Sequence, residues 1–373
     1  MRQKINYLVK NGAMMLWALL FVFCSHAPAP TASEKFEVKK GTNIAHWLSQ
    51  SNRRGKERED FFTKSDVQKI AGLGFDHVRL PIDEEQMWDE NGNRHAAAFQ
   101  LMQNCIDWCS ESGLRVIVDL HILRSHHFNA EVKPLWTDSE EQEKFFDLWR
   151  DLSRALKQYP NDLVAYELMN EAVADDHESW NRLLANAFNA IRELEPERTI
   201  VIGSNRWQST DTFDALSVPE NDSNILLSFH FYEPFLLTHY NAGWTSLKEY
   251  VGPVHYPGII LTESEFEQLP EAVKPEVEKW VGVEFNKELL LEKWSKPILK
   301  AKELGLPLYC GEFGIISNAP EKDTFRWYKD MIQLFEETGI GFANWNYKSD
   351  NFGLISNDNT ENKDLLDIVT DNG

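Results

Sequence analysis

Two glutamates in this sequence each follow a strongly apolar run, as active-site residues often follow buried strands. The run LVAYELM ends in Asn170 and Glu171, and the run PLYC leads through a glycine to Glu312. This pattern is typical of a parallel strand that is covered on both faces and carries polar side chains at its tip. Two carboxylates can act as proton donor and nucleophile if the fold brings these distant residues together.

The distance between two such carboxyl groups decides what they can do to a glycosidic bond. At about 5 to 5.5 Å, one group protonates the leaving oxygen while the other attacks the anomeric carbon, and configuration is retained. At about 6.5 Å or more, a water molecule fits between them and configuration is inverted. The positions of Glu171 and Glu312 in the sequence leave both outcomes open.

Other residues that can bind a polar ligand also stand at the ends of apolar runs: Arg79, His121, His230, Tyr232 and Trp345. A scaffold without a ligand site would carry apolar residues at most such positions. In α/β barrels, active groups come from the C-terminal ends of different strands. These residues are therefore candidates for one shared site.

Strand-like runs alternate with helical patterns along the chain and must position these residues. The eight runs cover residues 41–47, 75–81, 115–121, 163–171, 198–204, 224–234, 307–314 and 341–348. Apolar helical stripes lie at 63–74, 96–112, 139–158, 178–194, 211–217, 291–301 and 322–339. The alternation predicts an α/β fold, a single (β/α)8 TIM barrel with a long irregular insertion at 235–280 after strand six.

An open doubly wound sheet is the alternative arrangement of these elements. It is disfavoured because no glycine-rich phosphate loop follows the first strand. In a closed barrel, strands four and seven are almost opposite, so Glu171 and Glu312 would face each other across its mouth.

Six motifs together resemble glycoside hydrolase family 5, the cellulase-like branch of retaining barrel glycosidases, over residues 38–350. They are VRLPI, VDLH, YELMNEA, SFHFYEPF followed by TH, GEFG, and ANWNY. The resemblance implies that Glu171 is the acid/base and Glu312 the nucleophile of a double displacement with a covalent glycosyl-enzyme intermediate. That chemistry needs two carboxylates and water, so no metal and no organic cofactor are implied.

The resemblance also implies that Arg79 and Tyr232 hold Glu312 ionised, through a charge-assisted bond and a hydroxyl bond. Glu171 must instead keep a proton near neutral pH, and we expect the negative charge opposite it to raise its pKa. Four further residues are implied in binding sugar or carboxylate: Asn170 at the sugar 2-hydroxyl, His121 and His230 by hydrogen bonds, and Trp345 as the stacking floor.

Three tryptophans near strand ends or in the insertion are candidate subsite walls, namely Trp47, Trp207 and Trp244. Sugar faces stack on exposed indoles, but each of these residues is equally compatible with core packing. Within the insertion, the chain reads THYNA where many family members read THQGA. The changed positions leave the exact polysaccharide open.

The histidines and cysteines give weak metal signals. His121 lies near His126 and His127, but no HExxH spacing accompanies them, which favours loop histidines near a sugar site over a metal centre. No CxxC pair exists, and we interpret the cysteines after residue 27 as small core residues: Cys105, Cys109 and Cys310.

The N-terminus is predicted to be an export signal. Basic Arg2, Lys4 and Lys10 precede an apolar run at 13–24, which is short for a membrane span. Residues 1–32 are thus assigned to a signal peptide and short linker, and 33–373 to the barrel domain. The product would be secreted, periplasmic or a cell-surface lipoprotein acylated at Cys24. An uncleaved membrane anchor is the alternative.

The formal net charge of −21 argues against nucleic acid and anionic membranes as partners, whereas a neutral polysaccharide is unaffected by it. No protein partner is implied. We therefore predict a retaining, endo-acting β-glycosidase that hydrolyses β-1,4 bonds of plant polysaccharide, with β-glucan as the first choice. The alternatives are a β-mannanase, a xyloglucanase, a metal-dependent hydrolase built on the histidines, or a non-catalytic carbohydrate-binding barrel.

Overall fold

Eight parallel strands close into one barrel in the computed structural model, which describes residues 35–370. In chain order, β1 to β8 are Lys40–Asn43, His77–Asp83, Arg115–Ile122, Val164–Glu167, Ile200–Gly203, Ile225–Phe231, Leu308–Phe313 and Gly341–Asn344. Each strand pairs with the next in sequence, and β8 pairs with β1. The predicted (β/α)8 barrel is confirmed. The signal-peptide prediction and Cys24 lie outside the described residues.

Helices follow the strands and cover the outside of the barrel. The longer ones are Lys64–Gly72, Ala96–Glu111, Ser139–Leu156, His177–Arg192, Ser295–Leu304, Glu321–Thr338 and Lys363–Thr370. Shorter α-helices are Gly55–Phe61, Glu84–Met87, Phe235–Thr238, Glu263–Glu267, Lys274–Val277 and Lys287–Lys293, and 3-10 turns are Pro134–Trp136, Thr210–Ala215 and Glu278–Trp280. Asn205–Gln208 is a single turn with left-handed backbone angles at Arg206 and Trp207. Of the helices in the described part, none is both long and apolar enough to cross a bilayer.

Local sequence explains where several helices begin and end. The carboxylate of Asp138 accepts from the backbone of Glu140, and Asp176 caps the helix after β4 through Ser179. Such caps satisfy N–H groups that have no partner in the first turn. Gly305 and Gly339 end their helices in the left-handed conformation that glycine adopts without a Cβ clash.

The barrel interior changes from apolar to charged along its axis. Near the N-terminal ends of the strands, one small cluster joins Phe36, Ile117, Ala165, Val201, Leu226, Tyr309 and Ala343. Two positions further along β3, β4 and β6 lie Asp119, Glu167 and Ser228, which strand alternation also turns inward. The C-terminal end of the barrel therefore places a polar layer where a core would otherwise continue.

Several elements differ from the sequence prediction. Strand β2 continues through Pro81 to Asp83, and β4 ends at Glu167, so Glu171 lies in the loop beyond it. The helical stripe at 291–301 is divided at Trp294. The insertion after β6 contains short helices and an antiparallel pair, Gly258–Ile259 with Glu284–Phe285, in place of the expected irregular chain.

The N-terminal end of the barrel is tightly packed around Gly41 in β1. A Cβ there would lie 2.3 Å from His77 Nε2. The buried ring is fixed by Asp76 at 2.6 Å and the Tyr309 hydroxyl at 3.0 Å. Gly41→Ala should therefore lower the free energy of unfolding by about 1–3 kcal/mol in urea titrations. In Gly72→Ala, where no atom lies within 4 Å of the new Cβ, stability should not fall. Equal effects in the two variants would contradict this account.

Candidate active site

The guanidinium of Arg79, at the centre of the site, is completely buried. Its Nη1 donates to Glu312 Oε1 at 2.6 Å, and its Nε donates to Glu167 Oε2 at 2.6 Å. Its Nη2 lies 3.0 Å from Asp119 Oδ2 and donates to Asn170 Oδ1 at 2.8 Å. One side chain from β2 thereby fixes groups from β3, β4, β7 and the loop after β4.

Both carboxylate oxygens of Glu312 accept hydrogen bonds. Oε1 accepts from Arg79, and Oε2 accepts from the Tyr232 hydroxyl at 2.9 Å. A register shift between β6 and β7 lies beside Glu312 and His230. The structure thus brings Arg79, Tyr232 and Glu312 together in the arrangement that the resemblance implied.

Glu171 has an unusual backbone conformation for a residue other than glycine, with φ at 44°. Its N–H donates to Gln208 Oε1 at 2.9 Å, and its Oε1 lies 3.0 Å from His230 Nδ1. Burial and the charge of Arg79 lower the pKa of His230 far below its usual value, so the ring is neutral. The proton is favoured on Nδ1, facing Glu171, because His230 Nε2 has no partner among the described residues.

The two carboxylates are close enough for direct attack on a bound sugar. One oxygen of Glu171, a ring nitrogen of His230 and one oxygen of Glu312 all lie within 4.8 Å of one another. A water nucleophile between the two carboxylates would require about 6.5 Å or more. The separation therefore favours the retaining geometry. The same three groups are also placed to ligate a metal ion.

The two carboxyl groups differ in how strongly they hold a proton. Burial, followed by the charge of Glu312, raises the pKa of Glu171 well above its usual value. Burial also raises the pKa of Glu312, but Arg79 and the Tyr232 hydroxyl oppose that effect. Glu312 therefore loses its proton first, while Glu171 remains protonated. The sequence argument named only the opposite charge, whereas burial is the larger cause.

His121 and Trp345 form one wall of the site. Their rings stack with centroids 5.5 Å apart and planes 5° apart. His121 Nδ1 lies 2.7 Å from Asp119 Oδ2, and burial lowers the pKa of His121 to about 3. Asn170 is also buried here, and its Nδ2 has no hydrogen-bond partner within residues 35–370. That N–H group is thus available to a ligand hydroxyl.

Trp47 was a candidate subsite wall, and the structure shows that this prediction is wrong. Its side chain is fully buried, its indole N–H donates to the Arg58 carbonyl at 2.8 Å, and it packs on Phe62. It therefore fixes the loop after β1 to the helix Gly55–Phe61. Trp207 and Trp244 are 43% and 51% exposed, so both can present an indole face to a ligand.

His126 and the three described cysteines have structural surroundings. His126 is buried and accepts from the N–H of Val173 in the loop that carries Glu171. Cys105, Cys109 and Cys310 are buried free thiols.

Asp119 and Gln208 are among the groups around Arg79 and Glu171 that the sequence analysis missed. Asp119 lies two residues before His121 on the same face of β3, and period-two alternation could have identified it. Gln208 contacts Glu171 from a left-handed segment of non-glycine residues, for which the sequence contains no clear signal. Glu167, which points into the barrel from the end of β4, pairs with Arg79.

Residues 36–351 match the family model described as cellulase, glycosyl hydrolase family 5. The chain belongs to this family. It is 35% identical over 345 residues to Endoglucanase C of Acetivibrio thermocellus, covering 89% of this chain and 97% of the relative. It is 29% identical to Cellodextrinase A of Ruminococcus flavefaciens, over 81% of this chain and 83% of the relative.

A solved structure of similar fold is Thermotoga maritima Cel5A in complex with cellobiose. The TM-score is 0.70 at 25% sequence identity, and the alignment covers 89% of this chain and 97% of that one. The family match at residues 36–351 spans all eight barrel strands and the insertion after β6.

The Tyr232 hydroxyl should help to set the acidic side of the pH profile. Its donated hydrogen bond favours the ionised form of Glu312, so its removal in Tyr232→Phe should raise the pKa of that group. Activity requires ionised Glu312, and the acidic limb of kcat/KM should therefore move to higher pH. Tyr159→Phe is the control, because that hydroxyl contacts Asp107, away from the site. An unchanged acidic limb in Tyr232→Phe would contradict this account.

Proposed function

We propose that this family 5 enzyme is a retaining endo-β-1,4-glucanase that uses Glu312 as nucleophile and Glu171 as acid/base. The observation that carries the proposal is the pair of carboxylates within 4.8 Å of each other in unequal surroundings. One is bonded by Arg79 and Tyr232, and the other is kept protonated by burial and by its neighbour's charge. Such a division between two carboxyl groups is what the two roles require.

In the first step, Glu312 attacks the anomeric carbon while Glu171 donates its proton to the departing oxygen. His230 contacts Oε1 of Glu171, which leaves Oε2 to carry that proton. The ester formed on Glu312 has no charge, so one cause of the raised pKa of Glu171 disappears. Glu171 can then accept a proton from water, which attacks the anomeric carbon and releases Glu312 as carboxylate.

The choice of glucan rests on the relatives and on the surroundings of the site. The relative from Acetivibrio thermocellus is named an endoglucanase, and the Thermotoga maritima structure contains cellobiose. Exposed Trp207 and Trp244 can stack on uncharged sugar rings. The acidic chain imposes no penalty on a neutral polymer. Mannan and xyloglucan are the alternative substrates, because the THYNA segment changes the insertion next to the site.

A panel of soluble cellulose, mannan and xyloglucan, with product sizing and time-resolved proton NMR, tests this function. We expect the highest rate on the glucan, an early fall in viscosity from internal cleavage, and the β-anomer as the first product. Faster cleavage of mannan, or an α-anomer formed first, would contradict the assignment. EDTA in the same assays should leave the rate unchanged, since loss of activity would favour a metal-dependent hydrolase.

Replacing the acid/base should produce a defect that small anions repair. In Glu171→Ala, an activated aryl cellobioside can still form the glycosyl-enzyme because its leaving group needs no proton. External azide should then attack the intermediate and raise turnover by about 10-fold or more, giving a β-glycosyl azide. The matched variant Glu312→Gln should bind polysaccharide but show no azide rescue, because no intermediate forms. Lack of rescue in Glu171→Ala would refute its acid/base role.

A further inference from the structure

The loop that carries Glu171 is held almost entirely by groups outside it. Its backbone N–H groups donate to four partners: the Leu120 carbonyl, Gln208 Oε1, His126 Nε2 and Asn205 Oδ1. Three of these are side chains from other loops. The position of Glu171 therefore depends on how well those side chains are themselves fixed.

Gln208 is fixed on every side. It is 1% exposed, and its Oε1 accepts from the N–H of Glu171 at 2.9 Å. Its Nε2 donates to Glu167 Oε1 at 3.1 Å and to Ser228 Oγ at 3.2 Å. A Cβ on Gly203 would lie 2.5 Å from Gln208 Cγ, so the side chain also fills its space. The amide thus links the loop after β4 to β4 itself and to β6.

The backbone around Gln208 is strained. Arg206, Trp207 and Gln208 have φ values of 60°, 61° and 52°, which are left-handed, and none of them is glycine. This conformation directs Gln208 inward while Trp207 is 43% exposed. Strain of this kind persists where the surrounding contacts over-determine it and clusters at functional sites.

We infer that Gln208 is a positioning residue for proton transfer by Glu171, an inference that rests on the proposed function. Its Oε1 holds the left-handed backbone of Glu171 in place. Its Nε2 simultaneously bonds the carboxylate of Glu167 that pairs with Arg79. A neutral amide can accept from the first group and donate to the second at neutral pH, which a carboxylate cannot do.

The dependence of rate on the leaving group separates this role from a structural one. Gln208→Met keeps the approximate volume and removes all three hydrogen bonds. The variant should lose about 100-fold in kcat/KM on cello-oligosaccharides, whose leaving sugar needs a proton, within the range that general acids contribute. On 2,4-dinitrophenyl β-cellobioside, which needs none, the loss should stay below about 3-fold. Equal losses on both substrates, or no loss on either, would overturn the inference.

A second buried glutamine supplies the control. Gln86 is 2% exposed and bonds the Arg58 guanidinium and the Ser51 carbonyl. Neither of these bonds involves Glu171 or Glu312. Gln86→Met should lower stability without changing the ratio of rates on the two substrates. If Gln86→Met changed the ratio of the two rates as much as Gln208→Met does, the loss of any buried amide would explain the effect. That result would overturn the inference.

Gln208→Glu tests the same role if the methionine variant does not fold. At neutral pH the new carboxylate would face Glu167, and activity on cello-oligosaccharides should fall. At acidic pH the protonated group can again accept from Glu171 and donate to Glu167, so the activity of the variant relative to wild type should recover. A relative activity that does not change with pH would overturn the inference. A wild type inactive on both substrates would instead refute the proposed function itself.

Discussion

A buried arginine surrounded by carboxylates is the interaction on which the rest of the site depends. A completely buried guanidinium would be very costly alone, and Arg79 is compensated by Asp119, Glu167 and Glu312 within 3.0 Å. Three carboxylates exceed what one positive charge can balance. Burial accordingly raises the pKa of Asp119 to about 7 and raises that of Glu167 as well. Removal of Arg79 would thus leave several buried acids unpaired, so the same residue supports the fold and the chemistry.

The difference between Glu171 and Glu312 follows from the reach of that arginine. Arg79 contacts Glu312 directly but has no direct bond to Glu171, which instead faces neutral His230. Both acids are buried, so desolvation alone would raise both pKa values. Direct contact with Arg79 and the Tyr232 hydroxyl offsets this effect at Glu312, whereas at Glu171 the charge of Glu312 adds to burial and outweighs the attraction of Arg79. The two glutamates therefore differ in protonation state because their neighbouring side chains differ.

The sequence predicted those parts of the site that follow from strand pattern. Glu312, His121 and His230 lie on strands, where burial and alternation leave a readable signal. Trp47 could not be assigned, because its environment depends on how the loop after β1 meets the helix Gly55–Phe61. Gln208 could not be identified from the sequence for a related reason. Its left-handed backbone is maintained by tertiary contacts, and residues 206–208 include no glycine that would indicate it. The positions of side chains that depend on loop packing become clear only in the folded structure.

The polar layer at the C-terminal end of the barrel has an energetic consequence for the opposite end. Arg79, Asp119 and Glu167 occupy interior positions that apolar side chains would otherwise fill, and Glu171 with residues 206–208 adds backbone strain. Stability of the closed sheet must therefore come from elsewhere, chiefly the apolar cluster with Phe36 and Tyr309 and the helices packed outside. His77 completes that end by bonding Asp76 and the Tyr309 hydroxyl, where Gly41 leaves room for its ring. Close packing at one end of the barrel thus permits a strained, charged constellation at the other.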